Sequence, residues 1–173
     1  TYWEKVNDID LSCFGICEDG RQQEFSWRTM YRNQSDAVTY SGDQTSGYHG
    51  GSEYFDIDFD KVAELYPDMK YIVFCNNFYS GVNFSDVVCR AGSMDRDVEC
   101  SGEVYEAKTV RSAYKINAKS TFCYLYAIDI DKHEVIWLNV ADSRNCRVAG
   151  TNRMGWLKPY YTATETMNMR KLF

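Results

Sequence analysis

Proline is scarce. Only Pro67 and Pro159 occur in 173 residues, and no low-complexity stretch divides the sequence. With no linker to cut it, the chain reads as one domain, residues 1–173, long enough to bury a sizeable core. Histidine is scarcer for its chemistry: His49 and His133 are the whole supply. Both fall in expected loops or turns, and neither belongs to a Ser-His or Cys-His motif, so nucleophilic catalysis has no recognisable base. His49-Gly50-Gly51-Ser52 is reminiscent of the oxyanion loop of some esterases, but no G-x-S-x-G elbow and no strand–helix alternation accompany it. P-loop and G-x-G-x-x-G motifs are missing as well, which removes those phosphate cradles. A glycosidase-type carboxylate pair needs no sequence proximity and stays open, although nothing singles one out. The seven cysteines include no C-x-x-C pair, which excludes a zinc ribbon. No apolar run is long enough to span a bilayer and no signal peptide is seen, so direct membrane insertion is not expected. Positive charge is the minority: 19 Lys and Arg against 25 Asp and Glu give a net charge of −6. Such a surface argues against nucleic-acid binding, which needs clustered Lys and Arg.

What the chain has instead is aromatic and β-forming. It is 45% hydrophobic and 16% aromatic, with 14 Tyr and 9 Phe, a composition that favours strands around an aromatic core over disorder. Strand signals recur at Leu11–Cys17, Glu24–Met30, Ala37–Tyr40, Glu53–Phe59, Lys70–Phe78, Val87–Gly92, Tyr114–Ala118, Thr121–Ile130 and Glu134–Val140. Phe55, Ile57 and Phe59 alternate with Asp56 and Asp58, and the continuous run Tyr71–Cys75 predicts a central strand covered on both faces. Asp131-Lys132-His133 predicts a hairpin turn. Helix signals are confined to Asp60–Leu65, ending before Pro67, and to a capping box at Thr162–Glu165 that opens a short helix through Leu172. The expected fold class is all-β: an antiparallel β-sandwich of two sheets with one or two short helices. The cysteines, with Cys13, Cys17, Cys75 and Cys123 in apolar runs, read as reduced and mostly buried thiols of a cytoplasmic protein. In that setting the sequons at Asn33 and Asn83 are chance matches. The chain does not begin with Met, and an excised domain or processed product is the expectation.

Two acidic features carry the chemistry. Asp8-Ile9-Asp10-Leu11-Ser12 puts two carboxylates on one side of an extended segment, about 6–7 Å apart along the strand. An EF-hand reading fails, because Cys13 stands where that loop demands Gly and the flanks read as strands. The second feature is the loop Gly42-Asp43-Gln44-Thr45-Ser46-Gly47-Tyr48-His49-Gly50-Gly51-Ser52-Glu53, with four glycines and an acid near each end. Glycine-supported carboxylates with carbonyls free to turn inward suit a hard cation. From the residues alone, a cation site and a long flexible connection both fit. The aromatics Trp27, Tyr31, Tyr48, Tyr79, Tyr160 and Tyr161 offer another use, stacking on sugars or bases, with core packing as the competing role.

The order of these motifs resembles the tellurium-resistance TerD family. Asp8-Ile9-Asp10-Leu11-Ser12 is followed by Tyr40-Ser41-Gly42-Asp43, the Gly-rich loop to Glu53, Ile57-Asp58-Phe59, Lys70-Tyr71-Ile72-Val73-Phe74 and Asn83-Phe84-Ser85-Asp86-Val87. The match spans residues 8–140, with 141–173 as a C-terminal extension. From Gly102 through Leu138 the chain is similar to a divergent branch, in which such domains often belong to larger proteins.

The resemblance implies a β-sandwich with calcium held between the D-x-D segment and the acidic loop. It also implies a stress-response role, with protein partners in a stress-response complex and no established catalysis. Carried over by position, it implies Asp8, Asp10, Asp43, Gln44, Ser46, Gly47 and Glu53 as the Ca2+ site. Gln44 stands for the usual Asn and keeps an amide carbonyl. The loop is one residue short, Ser52 replaces a usual aspartate, and Tyr48-His49-Gly50-Gly51 replaces acidic–glycine alternation. Fewer carboxylates imply weaker affinity and fewer ions. The functional expectation is therefore a calcium-binding, non-enzymatic stress-response domain. Its alternative is a metal-independent sandwich that recognises sugars or nucleotides through aromatics.

Overall fold

The computed structural model describes residues 1–6, 8–30, 35–79, 82–94 and 109–142. The expected C-terminal helix, most of the 141–173 extension, and Tyr31, Tyr160 and Tyr161 lie outside them. The described elements are β1 (Tyr2–Glu4), β2 (Ile9–Cys17), β3 (Gln22–Phe25), α1 (Trp27–Met30), β4 (Val38–Tyr40), β5 (Gly51–Ser52), β6 (Phe55–Ile57), α2 (Phe59–Leu65), β7 (Met69–Phe78), a 3-10 turn at Phe84–Asp86, β8 (Val88–Met94), β9 (Val110–Lys115), β10 (Phe122–Asp129) and β11 (Glu134–Asp142).

The fold is all-β and antiparallel, as the alternation implied. A five-stranded sheet runs β11-β10-β7-β2-β3 and a four-stranded sheet runs β5-β1-β8-β9. A third, two-stranded sheet of β4 and β6 goes beyond the two sheets expected. Trp3, Cys89 and Ala91 from the four-stranded sheet share one core with Ile9, Leu11, Ile72 and Phe74 from the five-stranded sheet. Val38 and Val62 close that core from β4 and α2. Each large apolar side chain removed from water there contributes roughly 1.5–3 kcal/mol. β7 is the central strand. Ile72, Phe74 and Phe78 face the inter-sheet core, while Val73 and Cys75 join Phe14, Tyr124 and Ile136 in a second buried cluster on the opposite face. That two-sided burial is why Tyr71–Cys75 is apolar without interruption. Cys13, Cys75, Cys89 and Cys123 are buried thiols outside any disulfide, and Cys17 is half-buried.

Local chemistry overrides alternation in three places. Glu24–Met30 was expected to be one strand, but β3 stops at Phe25 and α1 follows. The Ser26 hydroxyl accepts from the Arg28 N–H at 3.2 Å, and the Ser26 N–H donates to Thr29 Oγ1 at 3.0 Å. This reciprocal capping nucleates a helical turn. The expected strand Glu53–Phe59 is also divided. Within it only Phe55–Ile57 is strand, as β6 of the small sheet; Glu53 turns inward before it, in the link from β5 of the four-stranded sheet, and Phe59 already belongs to α2. Asp58 then caps α2, accepting from the Lys61 N–H at 3.1 Å. The third place is Asp129, the last residue of β10. It is 3% exposed and closes the β10–β11 turn, accepting from Lys132 Nζ at 2.9 Å and from the Lys132 N–H at 3.1 Å.

One connection positions the acidic residues. β1 lies between β5 and β8, and it carries the chain directly into β2. The loop between β4 and β5 folds back on this junction: the Lys5 N–H donates to the Gly47 carbonyl and the Gly47 N–H to the Val6 carbonyl, both at 3.1 Å. Gly47 is required for this approach, since a Cβ there would lie 1.9 Å from Nε1 of the fully buried Trp3. The loop is thereby laid across the start of β2.

Candidate metal centre

Asp8 immediately precedes β2, and Asp10 is its second residue. Strand geometry alone puts both on one side of the chain. The loop brings a third carboxylate: oxygens of Asp8, Asp10 and Asp43 all lie within 4.8 Å of one another. Among the described residues this is the one place where three acidic, histidine or cysteine ligand atoms converge. Asp43 is exposed, Asp8 half-buried, and Asp10 only 5% exposed. The convergence sits at a solvent-facing mouth with a buried floor.

The floor is organised by hydrogen bonds. Asp10 Oδ2 accepts from Asn77 Nδ2 at 3.2 Å, across the β2–β7 register that places these residues opposite each other. Asp8 Oδ1 is buried and has no hydrogen-bond partner. Burial pushes the Asp8 carboxyl up to about 6, with the Asp43 charge adding to it. Asp10 also rises to about 6: burial leads, the Asn77 hydrogen bond pulls it part of the way back, and the Asp8 and Asp43 charges push it up. The three acids are therefore held together at an electrostatic cost that a cation would relieve.

Glu53, expected as a ligand, stands behind this group. It is fully buried, and its two oxygens accept from the Leu11 N–H at 2.7 Å and the Gln44 N–H at 3.0 Å. It therefore clamps the loop to β2. Burial raises its carboxyl to about 8 against those hydrogen bonds. The Tyr40 hydroxyl faces the same carboxylate without closing a short hydrogen bond, and burial followed by the Glu53 charge pushes it upward. Gln44 braces the loop from within. Its Oε1 accepts from the Ser52 N–H at 2.9 Å, and its Nε2 donates to the Ser46 carbonyl at 3.3 Å. Gly47 spends both backbone groups on Val6 and Lys5.

Of the seven residues expected at the site, three form the carboxylate group. Glu53, Gln44, Ser46 and Gly47 are joined in the hydrogen bonds that shape the loop. Asn77, Tyr40 and Trp3 were not foreseen. Asn77 is visible only as the cross-strand partner of Asp10, and Trp3 only as what Gly47 and Gly51 approach. The two histidines are exposed, and His133 packs beside Phe59 at a ring distance of 6.0 Å. Trp27, Tyr48 and Tyr79 are exposed on three separate segments. No described helix is long and apolar enough to cross a membrane.

Compared with protein-family models, curated proteins and solved structures, the chain matches none.

Proposed function

We propose that this chain is a calcium-binding, non-enzymatic domain in which one cation bridges the start of β2 and the β4–β5 loop. The observation that carries the reading is the convergence of Asp8, Asp10 and Asp43 from segments over thirty residues apart in sequence, with Asp8 Oδ1 buried and unpartnered. Three carboxylates with no nitrogen or sulfur donor favour a hard ion. A loop that tolerates irregular coordination favours calcium over the stricter octahedron of magnesium. Asp8, Asp10 and Asp43 would hold the ion, and Glu53 and Gln44 would hold the loop. The ion would cross-brace β2 to the loop, ordering the exposed surface around Asp43 and Tyr48 for a protein partner. The motif order shared with the TerD family supports the same ion position, and with it a stress-response role.

The test is thermal unfolding of the full chain in millimolar calcium, in magnesium and in chelator. Calcium at a hundredfold excess over Kd is expected to add about 2.7 kcal/mol, roughly 5–10 °C in Tm. Magnesium is expected to add less. Equal melting in calcium and chelator would sink the proposal. The stress-response part is tested separately, by whether tellurite tolerance of cells carrying the chain falls on Asp43→Ala.

A further inference from the structure

Between the two large sheets, at the end where β9 and β11 form their edges, lies a cavity of about 290 Å³. Phe74, Tyr126 and Trp137 from the five-stranded sheet form one wall, Ala91 and Tyr114 from the four-stranded sheet another, and Phe55 of β6 a third. The rings make a continuous aromatic surface. Phe55 meets Phe74 at 6.2 Å and 64°, and Phe74 meets Tyr126 at 4.7 Å and 30°. Tyr126 and Trp137 are stacked at 6.4 Å and 14°, and Trp137 reaches Tyr114 at 5.0 Å. Tightly packed interiors leave few voids larger than a water molecule. A space of this size, walled by aromatic faces, has room and shape for a flat apolar body. An apolar cavity of about 150 Å³ takes one benzene ring; this one accommodates roughly two fused rings.

The polar groups of the lining set the other half of the ligand. Ser93 and Ser112 hydroxyls bond each other at 2.8 Å, and the Tyr126 hydroxyl donates to the Gly92 carbonyl at 3.5 Å. Arg90 on β8 is different: it lines the cavity, is exposed, and its guanidinium makes no ion pair with the described residues. A planar fork with free donors matches a carboxylate in two-point contact. The other charged lining residue, Asp56 on β6, is an exposed acid that disfavours a second negative group.

From this placement we infer that the inter-sheet cavity is a binding site for a flat, two-ring-sized monocarboxylic acid, its rings against Phe74, Tyr126 and Trp137 and its carboxylate on Arg90. The site is separate from the carboxylate group at Asp43 and does not depend on the calcium reading.

The experiment is calorimetric titration of the full chain with 2-naphthoate, 2-naphthylmethanol and 2-naphthylmethylammonium, each in chelator and again in calcium, with tryptophan fluorescence in parallel. Saturable one-to-one binding of the naphthoate is expected, at least roughly tenfold tighter than the alcohol or the ammonium compound. Arg90→Gln is expected to bring the naphthoate down to the alcohol. Val135 is 39% exposed at the cavity edge, and Val135→Trp is expected to fill the space and abolish binding while Tm stays near that of the parent. No saturable binding to the folded parent, equal affinity for the three probes, or unchanged affinity in either variant would overturn the assignment. Naphthoate binding that appears only with calcium would overturn it too, because the acid would then sit on an ion at Asp8, Asp10 and Asp43.

Discussion

Replacing Asp10 by Asn should stabilise the metal-free protein, and the size of the gain follows from the site. Asp10 is 5% exposed, and its carboxyl is raised from 3.8 to about 6 by burial and by the Asp8 and Asp43 charges. A folded-state value above the unfolded one means the folded chain binds more protons between the two, so stability falls as pH rises across that interval. The penalty is absent below about pH 4, grows towards pH 6 and is complete above it. Raising a carboxyl from 3.8 to about 6 corresponds to at most about 3 kcal/mol, or roughly 6–12 °C in Tm for a chain of this length. Asn keeps an oxygen to accept from Asn77 and removes the charge. In chelator at pH 7.5, Asp10→Asn should therefore melt above the parent, and the two should converge near pH 4. Calcium should act in the opposite sense. At a hundredfold excess over Kd it returns about 2.7 kcal/mol to the parent and nearly closes the gap; at a thousandfold excess, about 4.1 kcal/mol, the order reverses. Differential scanning calorimetry at four or so pH values, with and without calcium, reads all of this. If the variant melts below the parent in chelator at neutral pH, or if the difference does not vary with pH, the argument from buried, mutually repelling carboxylates is refuted.

Further substitutions separate clamp from ligand. Glu53→Ala strips the acceptors from the Leu11 and Gln44 N–H groups in a buried setting; it should cost about 2–5 kcal/mol in urea unfolding and also remove calcium stabilisation. Asp43→Ala, at an exposed position, should leave unfolding in chelator nearly unchanged while removing the calcium response, and a large loss in chelator would contradict its place at the mouth of the site. Gly47→Ala drives a methyl into the Trp3 indole and should destabilise by roughly 1–3 kcal/mol in the same assay.

Much of this protein is written in short-range pattern. Period-two alternation marks β6. Two-sided apolarity marks β7. The turn at Asp131–His133 and helix α2 follow from local signals, because each depends on neighbours a few residues away. Where capping competes with alternation, as at Ser26 and Thr29, the pattern misleads, because a side-chain hydrogen bond to the backbone outweighs a weak strand preference. The candidate site divides along the same line. The shared side of Asp8 and Asp10 is a property of extended backbone and needs no fold. That Asp43 joins them, that Glu53 is spent on two backbone N–H groups, and that Asn77 holds Asp10 are decided by the β2–β7 register and by Gly47 lying flat on Trp3. The cavity beside Arg90 exists only because two sheets pack face to face and part at their β9 and β11 edges. Contacts between residues thirty or more positions apart leave no period in a single sequence: the motif-order resemblance implied that the loop meets Asp8 and Asp10, but the separate parts of Asp43, Glu53, Asn77 and Trp3 came only with the folded chain.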